Sequence, residues 1–170
     1  MWILKLPLRI LKSLFPFSAL WAINCVYTLG GGLPRGYNRV YFQIPENRTN
    51  YPLVQDVSLN YGLSFIRSDG RLKVTDSANA YLMIKTEITS YLKSPEQYDN
   101  TGKVISYRLV LSGKVEFFDL KNGKEFAPSA NITGNALWFP DNEGEESALK
   151  RAVEDFYRQA LRYLFSQTEW

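Results

Sequence analysis

The sequence predicts an α+β fold: a four-stranded mixed β-sheet with two α-helices packed on one face, in the order strand, helix, three strands, helix. Three observations carry that expectation. Ile105, Tyr107, Leu109, Leu111, Val115 and Phe117 alternate with Ser106, Arg108, Ser112, Lys114 and Glu116, the period of two that sends successive side chains to opposite faces of a strand. Asn122-Gly123, a pair that suits hairpin turns because both residues tolerate positive φ, sits between that run and another extended stretch. Leu149, Ala152, Val153, Phe156, Ala160, Leu161 and Leu164 then recur at helical spacing.

In chain order, Tyr37 to Ile44 alternates, with Val40, Phe42 and Ile44 on one face and Arg39, Tyr41 and Gln43 on the other; Pro45 ends this first strand. A helix over 51–66 follows, capped by Thr49 or Asn50, with Pro52 in a first turn that has no use for its missing N–H. Its apolar stripe is Val54, Val57, Tyr61 and Phe65, widened by Leu53 and Ile66. Gly62 lies inside it and costs about 1 kcal/mol relative to alanine, so this helix needs a packing partner. Ser68-Asp69-Gly70 stops it, and Arg71 to Val74 is a short extended segment. The second long strand spans Ala80 to Tyr91, with Leu82, Ile84 and Ile88 on one face and Tyr81, Met83, Lys85, Glu87 and Tyr91 on the other. Residues 92–102 read as a polar loop, and the alternating run above is the third strand. The fourth occupies 126–139, where Pro128 marks an edge or a bulge. The last helix covers 145–166, with Glu143, Glu145 and Glu146 at its start and Arg158 and Arg162 near its end, an order that suits the helix dipole. A strand-helix-strand unit makes the first two long strands parallel, and the hairpins after them are antiparallel.

The chain has 170 residues, 45% hydrophobic and 15% aromatic, which suits one globular domain and excludes a disordered tail. Residues 1–24 hold Lys5, Arg9 and Lys12 and no acid, then an apolar run from Leu14 to Ile23. That run is about ten residues, half of what a membrane-spanning helix needs, and the layout is that of a signal peptide over 1–24. An uncleaved anchor beginning at Trp2 is the alternative. Cys25, the one cysteine, follows in Ala22-Ile23-Asn24-Cys25, which resembles a bacterial lipobox with Asn24 where a small residue is usual. The expectation is a lipidated Cys25 as the first residue of the processed chain; an unpaired thiol is the plainer reading. Residues 25–36 are the lipidated Cys and a glycine-rich tether, and 37–170 the single domain. The tether lacks the Gly-Lys-Ser/Thr ending of a phosphate loop. Of 20 basic and 17 acidic residues, 17 of each lie from Cys25 onward, so the basic balance belongs to the signal and gives no compositional argument for nucleic acid.

The sequence holds no histidine, which removes the commonest general base and metal ligand, and one cysteine cannot form an internal disulfide or a cysteine-rich zinc site. Asp56, Asp76, Asp99 and Asp119 fall in no recognised pair motif and read as solvated acids. No catalytic residue, cofactor or metal site is therefore expected, and the protein is not expected to be an enzyme. Tyr81, Lys85 and Tyr91 on one strand face offer a faint nucleic-acid platform, outweighed by a protein-contact or core-edge role.

Short motifs in a fixed order resemble the lipopolysaccharide-assembly lipoproteins of the LptE type. They are Cys25 with Tyr27 nearby; Val40-Tyr41-Phe42-Gln43-Ile44-Pro45-Glu46-Asn47-Arg48-Thr49; Ala78-Asn79-Ala80-Tyr81-Leu82 leading to Ile88-Thr89-Ser90-Tyr91; Tyr98-Asp99-x-x-Gly102 before Tyr107-Arg108-Leu109; and the C-terminal amphipathic helix. Asn79-Ala80 departs from the Ala-Asp common in that family. The resemblance implies a non-enzymatic lipoprotein, lipid-anchored at the periplasmic face of the outer membrane, that assists lipopolysaccharide transport and assembly as plug and folding partner of an LptD-like β-barrel translocon. It also implies glycolipid contact through basic residues in loops at one end of the sheet. The matching loops are 92–103, with Lys93 and Lys103, and the acidic 139–145; ordinary solvated lysines are the plainer reading of that pair. The partners implied are the barrel, lipopolysaccharide and the membrane, with no nucleic acid. A periplasmic ligand-binding or inhibitor lipoprotein with no barrel partner is the competing reading, and a hydrolase hiding an acid pair is a third.

Overall fold

The computed structural model describes residues 33–167; the expected signal peptide, Cys25 and most of the tether lie outside them. The elements are β1 (Arg39–Phe42), β2 (Glu46–Asn47), α1 (Leu53–Ser68), β3 (Lys73–Val74), β4 (Leu82–Tyr98), β5 (Val104–Asp119), β6 (Lys124–Trp138) and α2 (Glu145–Ser166). Six strands form one mixed sheet in the order β3-β1-β4-β5-β6, with β2 also paired to β4. β1 runs parallel to β4, and β4, β5 and β6 are antiparallel, as the sequence led one to expect. The expected count of four strands is corrected to six, because β2 and β3 are two residues long and too short to display a period of two.

Two further corrections concern β4. The loop expected at 92–102 shrinks to 99–103, since Leu92, Lys93, Ser94 and Pro95 pair with Val110, Leu109, Arg108 and Tyr107. Residues 92–98 are all exposed, so this stretch is a polar ribbon whose composition imitates a loop. β2 pairs β4 only as far as Ile88, which leaves this part of β4 an edge where Pro95 is tolerated. A β-bulge at Thr89, between the paired Ile88 and Ser90, also reverses the alternation beyond it. Tyr91 therefore turns to the core face, only 6% exposed, and does not share a face with Lys85.

α2 lies across β5 and β6, and α1 lies beside α2 near β2 and β3. Val54 and Ile66 of α1, Leu82 and Ile84 of β4, Leu109 and Phe117 of β5, and Phe156 and Leu164 of α2 meet in one core. The cap of α1 differs from the expected Thr49 or Asn50: the N-cap is Pro52, with no side-chain cap bond, and the Thr49 hydroxyl accepts from the Tyr51 N–H at 3.2 Å instead. The partner that Gly62 requires is the buried ring of Tyr157 on α2, which a Cβ at position 62 would meet at 2.3 Å. Gly62→Ala gains about 1 kcal/mol in helix propensity, yet overpacking a fixed ring costs about 1–3 kcal/mol. The variant is expected to be less stable than the parent in urea unfolding.

The opposite face of the sheet is open and carries exposed ion pairs, Lys85–Glu116 at 3.1 Å and Lys114–Glu116 at 2.6 Å, each of small value to stability. At one end, the β5–β6 turn is organised by Asp119, whose Oδ1 accepts from the main-chain N–H groups of Lys121 and Asn122. Its Oδ2 accepts from the Tyr37 hydroxyl at 2.7 Å and from the Asn122 amide at 2.6 Å. Tyr37 also packs on Phe126, so the segment entering the domain is fastened to this turn. Burial opposes the charge on Asp119, but these donors outweigh it and hold the pKa at about 2, below the usual 3.8. A depressed native pKa makes a contribution that is present above pH about 4 and lost as pH falls toward 2. The stability gap between the parent and Asp119→Asn, measured by urea midpoints, is expected to shrink across that window; a gap independent of pH would contradict it.

Candidate functional site

The other end of the sheet carries the lysines singled out from sequence. β5 has 16 residues, and a rise of about 3.3 Å per residue separates the 99–103 turn from the Tyr37–Asp119 cluster by about 50 Å. The turn itself is built by Asp99, whose Oδ1 accepts from the N–H groups of Thr101 and Lys103 at 2.8 and 2.9 Å.

Lys93 is corrected from a loop residue to a β4 residue, on the helix-covered side opposite Leu109. Its Nζ lies 2.8 Å from Glu145 Oε2 and 4.9 Å from the centre of the Trp138 ring. The other Glu145 oxygen accepts from the Tyr91 hydroxyl at 2.7 Å, and the Tyr51 ring stands edge-on to Tyr91 at 5.0 Å. Burial works against the Glu145 charge, but the donors from Lys93 and Tyr91 prevail and keep the carboxyl below its ordinary range. Burial first, and then the neighbouring Glu145, push the Tyr91 phenol up. Trp138 is fixed in turn by donating to the Glu143 carbonyl at 3.0 Å and by Tyr107, ring centres 5.4 Å apart.

Lys103 is different. Its Nζ is 3.8 Å from Asp141, and both side chains are about two-thirds or more exposed, so the contact is loose. The structure thus brings the 99–103 turn and the acidic 139–145 segment together, as the sequence reading placed them. That reading missed Glu145 as the partner of Lys93, because 52 residues separate the two and no local pattern links them. Chemically, Lys103 is available to an anion, whereas Lys93 reaches one only in competition with Glu145.

The acids singled out from sequence are scattered. Asp76 bonds Asn79, Asp99 holds its turn, and Asp119 is buried, contrary to the expected solvated state. Among the described residues there is no group of three or more His, Cys, Asp or Glu placed to hold a metal ion, and no helix is long and apolar enough to cross a membrane.

Several solved proteins are similar to this chain in fold. One is the hypothetical protein CT253 from Chlamydia trachomatis, at TM-score 0.54 and 9% identity, covering 75% of this chain and 95% of that one. Another is a putative lipoprotein from Caulobacter crescentus, at 0.52 and 10%, covering 78% and 92%. The PelC dodecamer from Paraburkholderia phytofirmans follows at 0.51 and 16%, covering 80% and 93%. At such identities the likeness is one of fold. No curated protein matches the chain.

The class defined is therefore an α+β domain shared in fold with bacterial proteins, one of them described as a putative lipoprotein. More specifically, residues 37–168 match the family LptE, described as Lipopolysaccharide-assembly, and the chain belongs to that family. The resemblance read from the ordered motifs is borne out.

Proposed function

We propose that this protein assists lipopolysaccharide transport and assembly as a lipoprotein anchored through Cys25, acting as plug and folding partner of an outer-membrane β-barrel translocon. The observation that carries the proposal is membership of the LptE family over residues 37–168. The geometry supports it. The segment from the anchor enters at the Tyr37–Asp119 end, and the eight residue steps from Cys25 to Leu33 reach at most about 29 Å. The turn that carries Lys103 stands about 50 Å from that entry, close to the ~40–45 Å thickness of a bilayer with its headgroups, and Lys93, opposite Leu109, about 33 Å from it. A domain seated lengthwise in a barrel would carry Lys93 and Lys103 toward the far side of the membrane.

In this reading Lys103 meets a glycolipid phosphate first, and Lys93 joins once Glu145 is displaced. Titration of the full chain, in detergent, with purified lipopolysaccharide tests the pair. Lys93→Gln with Lys103→Gln is expected to weaken binding by about tenfold, whereas Glu145→Gln, which frees Lys93, is expected to strengthen it. Affinities unchanged in all variants would remove both lysines from the site.

A further inference from the structure

The outer edge of β6 is unevenly covered. The Asn135 N–H donates to Asp155 at 3.0 Å, the Leu137 carbonyl accepts from Arg151 at 2.7 Å, and the Pro128 carbonyl accepts from the Tyr163 hydroxyl at 3.0 Å. Side chains of α2 thus close the edge on both sides of a gap, which is how sheets avoid unwanted pairing. The gap is at Asn131 and Thr133. β6 is in unbroken register with β5 from Ala130 to Trp138, so these two residues share the outward parity of Asn135 and Leu137. Their outward main-chain N–H and C=O groups have no partner among the described residues.

Beside the gap lies a groove of about 550 Å³, walled by Ile132, Gln159, Arg162, Tyr163 and Ser166. Arg151 and Arg158 on the same helix are paired with Glu143 and Asp155, but Arg162 has no acidic partner among the described residues. Among the described residues, no acid lines the groove.

We propose that this gap receives an extended peptide strand carrying an acidic side chain. The strand pairs through its main chain with Asn131 and Thr133, and the side chain that falls over the groove places its carboxylate at Arg162 and Gln159. An extended segment is required because the free groups are main-chain donors and acceptors two residues, about 6.7 Å, apart. The positive groove selects an acid. A second copy of this chain is disfavoured, since two-fold pairing of β6 with β6 brings two Arg162 side chains into the same gap.

The test uses the full chain, ¹⁵N-labelled and in detergent, with three capped peptides: Thr-Val-Glu-Val-Thr, the same peptide N-methylated at alternate residues, and Thr-Val-Lys-Val-Thr. The acidic peptide is expected to shift the amides of Asn131 and Thr133 and the side-chain signals of Arg162, with the lysine and N-methylated peptides weaker by about tenfold or more. Thr133→Pro removes one outward N–H and leaves the β5 ladder intact, so it is expected to lower binding to a similar degree. Arg162→Glu, a surface change with little bearing on folding, is expected to reverse the preference toward the lysine peptide. The proposal is overturned by the absence of shifts at these amides, by equal binding of the N-methylated peptide, or by an unchanged preference in Arg162→Glu. Concentration-dependent shifts of the same amides without peptide would overturn it in favour of self-association.

Discussion

Gly134→Val is expected to lift α2 from the sheet and lower stability by more than about 3 kcal/mol, beyond the usual 1–3 kcal/mol of overpacking. A Cβ at position 134 would stand 2.1 Å from the Ala152 carbonyl oxygen and 2.5 Å from the Phe156 nitrogen. Both are helix backbone, so no side-chain rotation relieves the contact and the helix must move as a body. Moving it opens the packing of Ala152, Phe156 and Ala160, all buried. Urea unfolding followed by circular dichroism checks this, and a midpoint close to that of the parent would show that β6 and α2 are less tightly joined than described.

Phe117→Ala is the second change of this size. Phe117 is fully buried on β5, near Ala127 of β6 in the ladder, and its ring stacks with Tyr163 of α2 at 6.4 Å. Truncation leaves a cavity between sheet and helix, and Phe→Ala changes in cores cost about 3–5 kcal/mol. Against a total stability of about 5–15 kcal/mol, that is enough to unfold a sizeable fraction of the chain near physiological temperature. A loss below about 1 kcal/mol would mean that the site collapses around the missing ring.

The parts of the fold that sequence made legible are those where one face is buried along a whole element. β5 alternates from Leu109 to Asp119 and α2 recurs along its length because each presents one side to the same core; only at the start of β5 does the buried Ser106 break the phase. The far half of β4 was hidden for the opposite reason: residues 92–98 are exposed, so no pattern distinguished Ser94-Pro95-Glu96-Gln97 from a loop. The face of Tyr91 was misread because a single bulge residue, Thr89, reverses the alternation and leaves no mark in the polarity pattern. In the candidate site, the lysines were visible as charges, and the pairing of Lys93 with Glu145 was not, since it depends on how the start of α2 meets β4. Family membership was legible because it rests on the order of many short motifs, none of which needs tertiary knowledge.

The claim that matters most is partnership with a barrel. Mild detergent extraction of membranes from cells making the affinity-tagged full chain, followed by purification and mass spectrometry, tests it directly. The expected result is co-isolation in near-equal amount of a large outer-membrane β-barrel. Recovery of the chain alone, lipidated and folded, would contradict the plug role and favour a ligand-binding lipoprotein that works without a barrel.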